Sequence, residues 1–126
     1  MPSYDAALFN PPAPVVRVSL RNPITGSELN NVSMLLDSGA DVTLIPALTV
    51  KILGLNTLPE IQYEVIGHDN VSRLSPVVVL EMSFLGKIFR GRFLLTDAEF
   101  GIIGRNVMNS LKLVLDGPAL NWDIAS

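Results

Sequence analysis

The sequence predicts an all-β protein, a barrel or closed sandwich of short strands. Three observations predict it. Short β-branched and aromatic runs recur along the 126 residues, with Pro, Gly, Asn or Asp between most of them. Helical patterns are confined to two brief stretches, near 47–55 and 105–111. The chain is 48% hydrophobic and 17% charged, which suits a sheet buried on both faces or a protomer that hides surface in an oligomer.

Residues 1–14 contain Pro2, Pro11, Pro12 and Pro14 and read as an extended arm with little structure of its own. The remainder, 15–126, reads as one domain. Val15 to Leu20 is a strand. Asn22-Pro23-Ile24-Thr25-Gly26 is turn chemistry, because Pro presets φ and Gly permits positive φ. Glu28 to Leu36 completes a hairpin and becomes fully apolar at Met34. Val42 to Ile45 is a strand stopped by Pro46. Ala47 to Leu55 forms a short helix with Leu48, Ile52 and Leu55 on one side and Gly54 near its end. Ile61 to Ile66 and Val71 to Val79 form a long hairpin with the polar tip Gly67-His68-Asp69-Asn70, its second strand broken near Pro76. Val78 to Phe84 and Lys87 to Leu95 turn around Leu85-Gly86. Glu99 to Gly104 is a short buried strand, and Arg105 to Leu111 a short helix. Lys112 to Leu115 and Ala119 to Ile124 make a terminal hairpin around Asp116-Gly117-Pro118.

Composition excludes several function classes. The net charge is -3 with no basic cluster, which argues against nucleic acid as the partner. Mean hydropathy is +0.41, yet the apolar run Val77-Val78-Val79-Leu80 is cut off by Glu81, far short of a membrane helix. There is no cysteine, hence no thiol nucleophile, disulfide or thiolate metal site. His68 is the sole histidine and has no partner with metal-ligand spacing, so neither a metal nor another cofactor is expected. The start, Met1-Pro2-Ser3-Tyr4-Asp5, lacks the basic and apolar regions of a signal peptide, and a cytoplasmic location is the expectation.

The chemistry is concentrated in Met34-Leu35-Leu36-Asp37-Ser38-Gly39-Ala40-Asp41-Val42-Thr43-Leu44-Ile45. An apolar run enters Asp-Ser-Gly and a second apolar run leaves it. A carboxylate between two apolar strands is costly unless it is hydrogen-bonded or functional. The plainer alternative is a turn Asp satisfied by neighbouring backbone N–H groups.

Two segments together resemble a known family. Leu35-Leu36-Asp37-Ser38-Gly39-Ala40-Asp41-Val42-Thr43 resembles the Asp-Thr/Ser-Gly-Ala signature of the retropepsins, the retroviral-type aspartic proteases. Gly101-Ile102-Ile103-Gly104-Arg105-Asn106-Val107-Met108 resembles their second signature, two apolar residues and Gly followed by Arg-Asn and a helix. The resemblance covers roughly Pro14 to Ile124. The proline arm and the Asp-Gly-Pro hairpin look more like cellular and bacterial members than viral ones.

The resemblance implies a closed acid-protease barrel with one or two short helices, forming a two-fold symmetric homodimer. It implies an aspartic endopeptidase in which two Asp37 carboxylates, one per subunit, share a proton and activate a water. Pepsin-like enzymes carry two such motifs in one longer chain; this chain has one. Terminal strands of both chains would pair at the interface, and an extended peptide with apolar residues around the cleavage site would be the substrate. Ser38 would tie the two turns together, Gly39 would admit the substrate backbone, and Ala40 continues the signature. Asp41 and Arg105 would form a buried pair beneath the turn, and Ile102, Ile103 and Gly104 of the second signature would pack tightly beside Asp37. Ile66, Gly67, His68, Asp69 and Asn70 match the flap that closes over peptide; the tip here is polar where viral flaps are glycine-rich and apolar. The rival readings are a non-proteolytic peptide-binding module of the same fold and a structural dimerisation domain.

Overall fold

The computed structural model describes residues 2–66 and 72–125. The strands are β1 (Tyr4–Asp5), β2 (Ala13–Arg21), β3 (Glu28–Leu36), β4 (Leu44–Pro46), β5 (Leu58–Ile66), β6 (Ser72–Phe84), β7 (Lys87–Thr96), β8 (Gly101–Ile103), β9 (Leu113–Asp116) and β10 (Asn121–Ile124). The helices are α1 (Ala47–Ile52) and α2 (Arg105–Met108).

Period-two patterning closes the barrel. On β2, Val16, Val18 and Leu20 point inward; on β3, Val32, Met34 and Leu36; on β6, Val78, Leu80 and Met82. Each contributes roughly 1.5–3 kcal/mol by burial. The sheet runs β1-β2-β3-β8-β4-β7-β6-β5, and a further β2–β6 pairing joins it into a circuit of six strands. That pairing opposes Ser19, Leu20 and Arg21 to Ser83, Met82 and Glu81. Outside it, Glu81 is held by Arg21 at 3.3 Å and by Arg90 at 2.9 Å. β9 and β10 form a separate two-stranded sheet.

The most consequential feature is where β8 lies. It pairs parallel with β3, aligning Leu36 with Ile103, and antiparallel with β4, aligning Leu44 with Ile102. The chain therefore leaves β3, arches over the end of β8 and returns as β4. Asp37 is the first residue of that arch.

Three expectations change on contact with the structure. The arm takes its structure from what it lies on. Tyr4 and Asp5 pair with Pro14 and Ala13, Ser3 bridges to Asn121, and the Phe9 ring packs edge-on against Phe100. Pro76 does not break its strand: β6 runs through it, because the ladder to β7 starts only at Val77, and Pro76 stands opposite Gln62 of β5. On α1 the buried side is Thr49, Val50 and then Leu53, while Leu48 and Ile52 are 67% and 60% exposed. A six-residue helix is oriented by its attachments, here the strand end at Pro46 and the Asn22 side chain bonded to the Leu53 carbonyl. Element ends also shift: β4 begins at Leu44 and α2 ends at Met108.

Candidate active site

The arch is fixed by backbone and side-chain hydrogen bonds together. The Asp37 amide donates to the Ile103 carbonyl at 3.0 Å, which extends the β3–β8 ladder by one residue. The Ala40 amide donates to the Asp37 carbonyl at 3.1 Å, closing a tight turn. The Gly39 amide donates to Asp37 Oδ1 at 2.9 Å. That bond orients the carboxylate and leaves Oδ2 without a partner among the hydrogen bonds of the described residues. Asp37 is half-buried while Ser38 and Gly39 are exposed. The arrangement is an Asx turn in its local bonding, placed where two apolar strands converge.

Two glycines make room. A Cβ on Gly104 would stand 2.2 Å from the Val42 carbonyl oxygen, and one on Gly101 would stand 2.7 Å from the Leu44 carbonyl oxygen. Both contacts are with backbone, so neither side can yield cheaply. The Gly-Ile-Ile-Gly run is therefore a clearance requirement: β8 fits beneath the returning chain only if Gly101 at its start and Gly104 just past its end lack side chains. Ile103 between them is fully buried, and Ile102 is half-buried.

From the far side, the start of α2 grips the arch. The Arg105 amide donates to the Ala40 carbonyl at 2.8 Å, and the Asn106 amide to the Asp41 carbonyl at 3.3 Å. Arg105 Nη1 donates to the Ser38 carbonyl at 2.7 Å. Arg105 thus supports the turn, by a route other than the expected one. Asp41 and Arg105 are both exposed, and among the described residues no ion pair joins them. The guanidinium is a fork of N–H donors, and a carbonyl in the turn captures it.

Thr43 and Asn106 complete the support, although patterning alone assigns them no role. Thr43 is 1% exposed. Its hydroxyl donates to Asn106 Oδ1 at 2.8 Å and accepts the Gly104 amide at 3.0 Å. The clue in the sequence is a single hydroxyl inside the apolar run Val42-Thr43-Leu44-Ile45. A cavity of about 480 Å³ lies between the arm and β2, lined by Tyr4, Asp5, Val15, Arg17 and Leu85 among others, and includes no residue of the arch. A smaller one, about 230 Å³, adjoins the arch at Val42 and Thr43, with Val77, Leu94, Arg92 and Asn106 as its other walls.

The flap residues Gly67, His68, Asp69 and Asn70 lie outside the described residues; Ile66 is the last described residue of β5, opposite Ser72. Among the described residues, no group of three or more His, Asp or Glu could hold a metal ion, and no helix is long and apolar enough to cross a membrane.

No family model matches the chain. Solved structures do. A retropepsin-like aspartic protease from Rickettsia conorii matches with a TM-score of 0.63 at 12% identity, over 98% of this chain and 86% of that one. The EIAV protease complexed with the inhibitor HBY-793 matches with a TM-score of 0.58 at 21% identity, over 82% of this chain and 93% of that one. A foamy viral protease–reverse transcriptase in complex with double-stranded DNA matches at 0.52 and 20% identity, over 79% of this chain but 16% of that one. The closed six-stranded barrel, with β8 threaded beneath the Asp37 arch, is the retropepsin-like aspartic protease fold.

Proposed function

We propose that the protein is an aspartic endopeptidase that acts as a homodimer. The observation that carries this reading is the Asp37 carboxylate, oriented by the Gly39 amide at the head of a hydrogen-bonded arch. One chain supplies one such carboxylate, and the chemistry needs two. A second copy, related by a two-fold axis, brings its own Asp37 alongside.

In that arrangement one carboxylate is ionised and the other holds the shared proton, since two like charges about 3 Å apart cannot both ionise. The ionised Asp37 takes a proton from a water as its oxygen attacks the scissile carbonyl carbon. The protonated Asp37 gives its proton to the carbonyl oxygen. Collapse of the resulting diol returns a proton to the amide nitrogen, the C–N bond breaks, and the pair regains its single proton. No cofactor takes part. Ser38 hydroxyls tie the two arches together, and the Gly39 backbone faces the peptide.

The test is Asp37→Asn assayed on a mixed peptide library beside the unaltered protein. Cleavage should fall by roughly 10²–10⁴-fold or more with dimerisation retained. Equal cleavage by both proteins would sink the enzyme reading.

A further inference from the structure

β2 has two neighbours along one edge, β1 and β6, and neither covers the middle of that edge. In a strand, both backbone polar groups of a residue point to one side, and the side alternates along the chain. Ala13 pairs with Asp5 of β1, and Ser19 and Arg21 pair with Ser83 and Glu81 of β6. By alternation Val15 and Arg17 direct their N–H and C=O groups to the same edge, while Val16 and Val18 face β3. The Val15 carbonyl agrees with this parity: it accepts the Trp122 indole at 3.0 Å.

Both neighbours turn away before they reach Arg17. The arm swings onto the terminal hairpin, where the Tyr4 amide donates to the Leu120 carbonyl at 2.9 Å and the Pro2 carbonyl accepts the Trp122 amide at 3.0 Å. β6 ends at Phe84 in a tight turn whose Leu85 and Gly86 have φ of 48° and 77°. That left-handed pair sends the chain back as β7 where it would otherwise have met Arg17. A leucine is an unfavourable occupant of such a turn, and its side chain is left 50% exposed. The resulting gap is the cavity of about 480 Å³, lined by Pro2, Tyr4, Ala7, Val16, Arg17 and Leu85 among others. The Arg17 N–H and C=O point into it with no partner among the described residues. Among those residues the Arg17 guanidinium forms no ion pair either. The Asp5 carboxylate on the cavity wall is already engaged, its Oδ1 accepting the Ala7 and Leu8 amides, each at 2.8 Å.

We propose that this gap binds an extended peptide segment, an acidic residue flanked by apolar ones, as a short strand laid on the line of β1. An open strand edge supplies main-chain hydrogen bonds, and the side chains around it select the sequence. The uncovered stretch Val16 to Val18 takes three residues, ~10 Å at ~3.3 Å each. The acidic residue stands opposite Arg17 and exchanges both backbone hydrogen bonds with it. Its carboxylate then lies on the face of the Arg17 guanidinium, where a charge-assisted bond forms. Across β2, Arg17 is opposed by Ser33, which carries no charge to compete. The flanking residues point to the other face, that of Val16 and Val18, which is apolar. A basic residue at the centre would set like charges against each other. The site shares no residue with the Asp37 arch, and the proposal stands whether or not the chain is a protease.

The probe is acetyl-Val-Glu-Val-amide, titrated into the full chain and followed by backbone amide NMR. The Arg17 amide should shift most. Fluorescence should change in step, since Trp122 is the sole tryptophan and its indole bonds β2 at Val15. Replacing the probe's Glu by Lys should weaken binding by roughly tenfold or more. Methylating the Glu nitrogen, which donates to the Arg17 carbonyl, should do the same. Arg17→Ala should weaken binding by roughly fivefold or more; the residue is exposed, so the fold is retained. Shifts centred on Asp37 and Gly39 in place of Arg17 would overturn the proposal. So would equal binding of the methylated probe, unchanged affinity in Arg17→Ala, or an Arg17 amide that does not respond at any soluble probe concentration.

Discussion

The Asp37 arch and the terminal hairpin are close in the fold and opposite in how they are held. The arch is satisfied within one chain. Its Asp37 amide reaches the Ile103 carbonyl, its Ala40 and Asp41 carbonyls accept from the Arg105 and Asn106 amides, and its buried hydroxyl has both a donor and an acceptor role filled. The hairpin is held on one edge by the arm and leaves apolar surface and open backbone on the other. The difference teaches which parts of the site one copy prepares. One chain sets the position of the Asp37 carboxylate by its own bonds, whereas the hairpin leaves one edge of its own backbone open.

Substitutions can break this comparison, and they rank by how little the neighbours can yield. Gly104→Ala should cost about 3 kcal/mol or more, because its Cβ meets the Val42 backbone. Denaturant unfolding should show this loss equally at low and high protein concentration, since the contact lies within one chain. Thr43→Val keeps the volume and strands the Gly104 amide and the Asn106 side chain. It should cost about 2–3 kcal/mol, with the same independence of concentration. Trp122→Phe leaves the buried Val15 carbonyl without its indole donor and should cost about 1–2 kcal/mol. Because Trp122 lies opposite Leu115 in the hairpin, this variant should also steepen the dependence of Tm on concentration. A Trp122→Phe effect that ignores concentration would place the hairpin on the same footing as the arch. Arg105→Lys should cost the least, about 0.5–1 kcal/mol, since its bond to the Ser38 carbonyl is solvent-exposed.

Much of the fold was legible because period-two patterning is local. Val16, Val18 and Leu20, or Val32, Met34 and Leu36, announce both a strand and its inward face. The Asp37 turn was legible because a carboxylate between apolar runs is costly and therefore informative. Reading α1 from its apolar residues picks Leu48 and Ile52, which are exposed, because two turns of helix carry too weak a period to resist their attachments. The expected pairing of Asp41 with Arg105 does not form, for a related reason. A flexible guanidinium takes the nearest well-placed acceptor, and that is the Ser38 carbonyl.

By itself the sequence determined the strands, the turn residues and the one carboxylate around which the chemistry is built. These follow from residue-by-residue preferences and from the cost of burying charge. The tertiary structure alone decided that β8 threads between β3 and β4, and hence that Gly101 and Gly104 are clearances. It also decided that Thr43 and Asn106 hold the arch and that the arm covers one edge of the terminal hairpin and leaves the other open. Those facts depend on which backbones approach one another across long stretches of chain, and no local pattern encodes that distance.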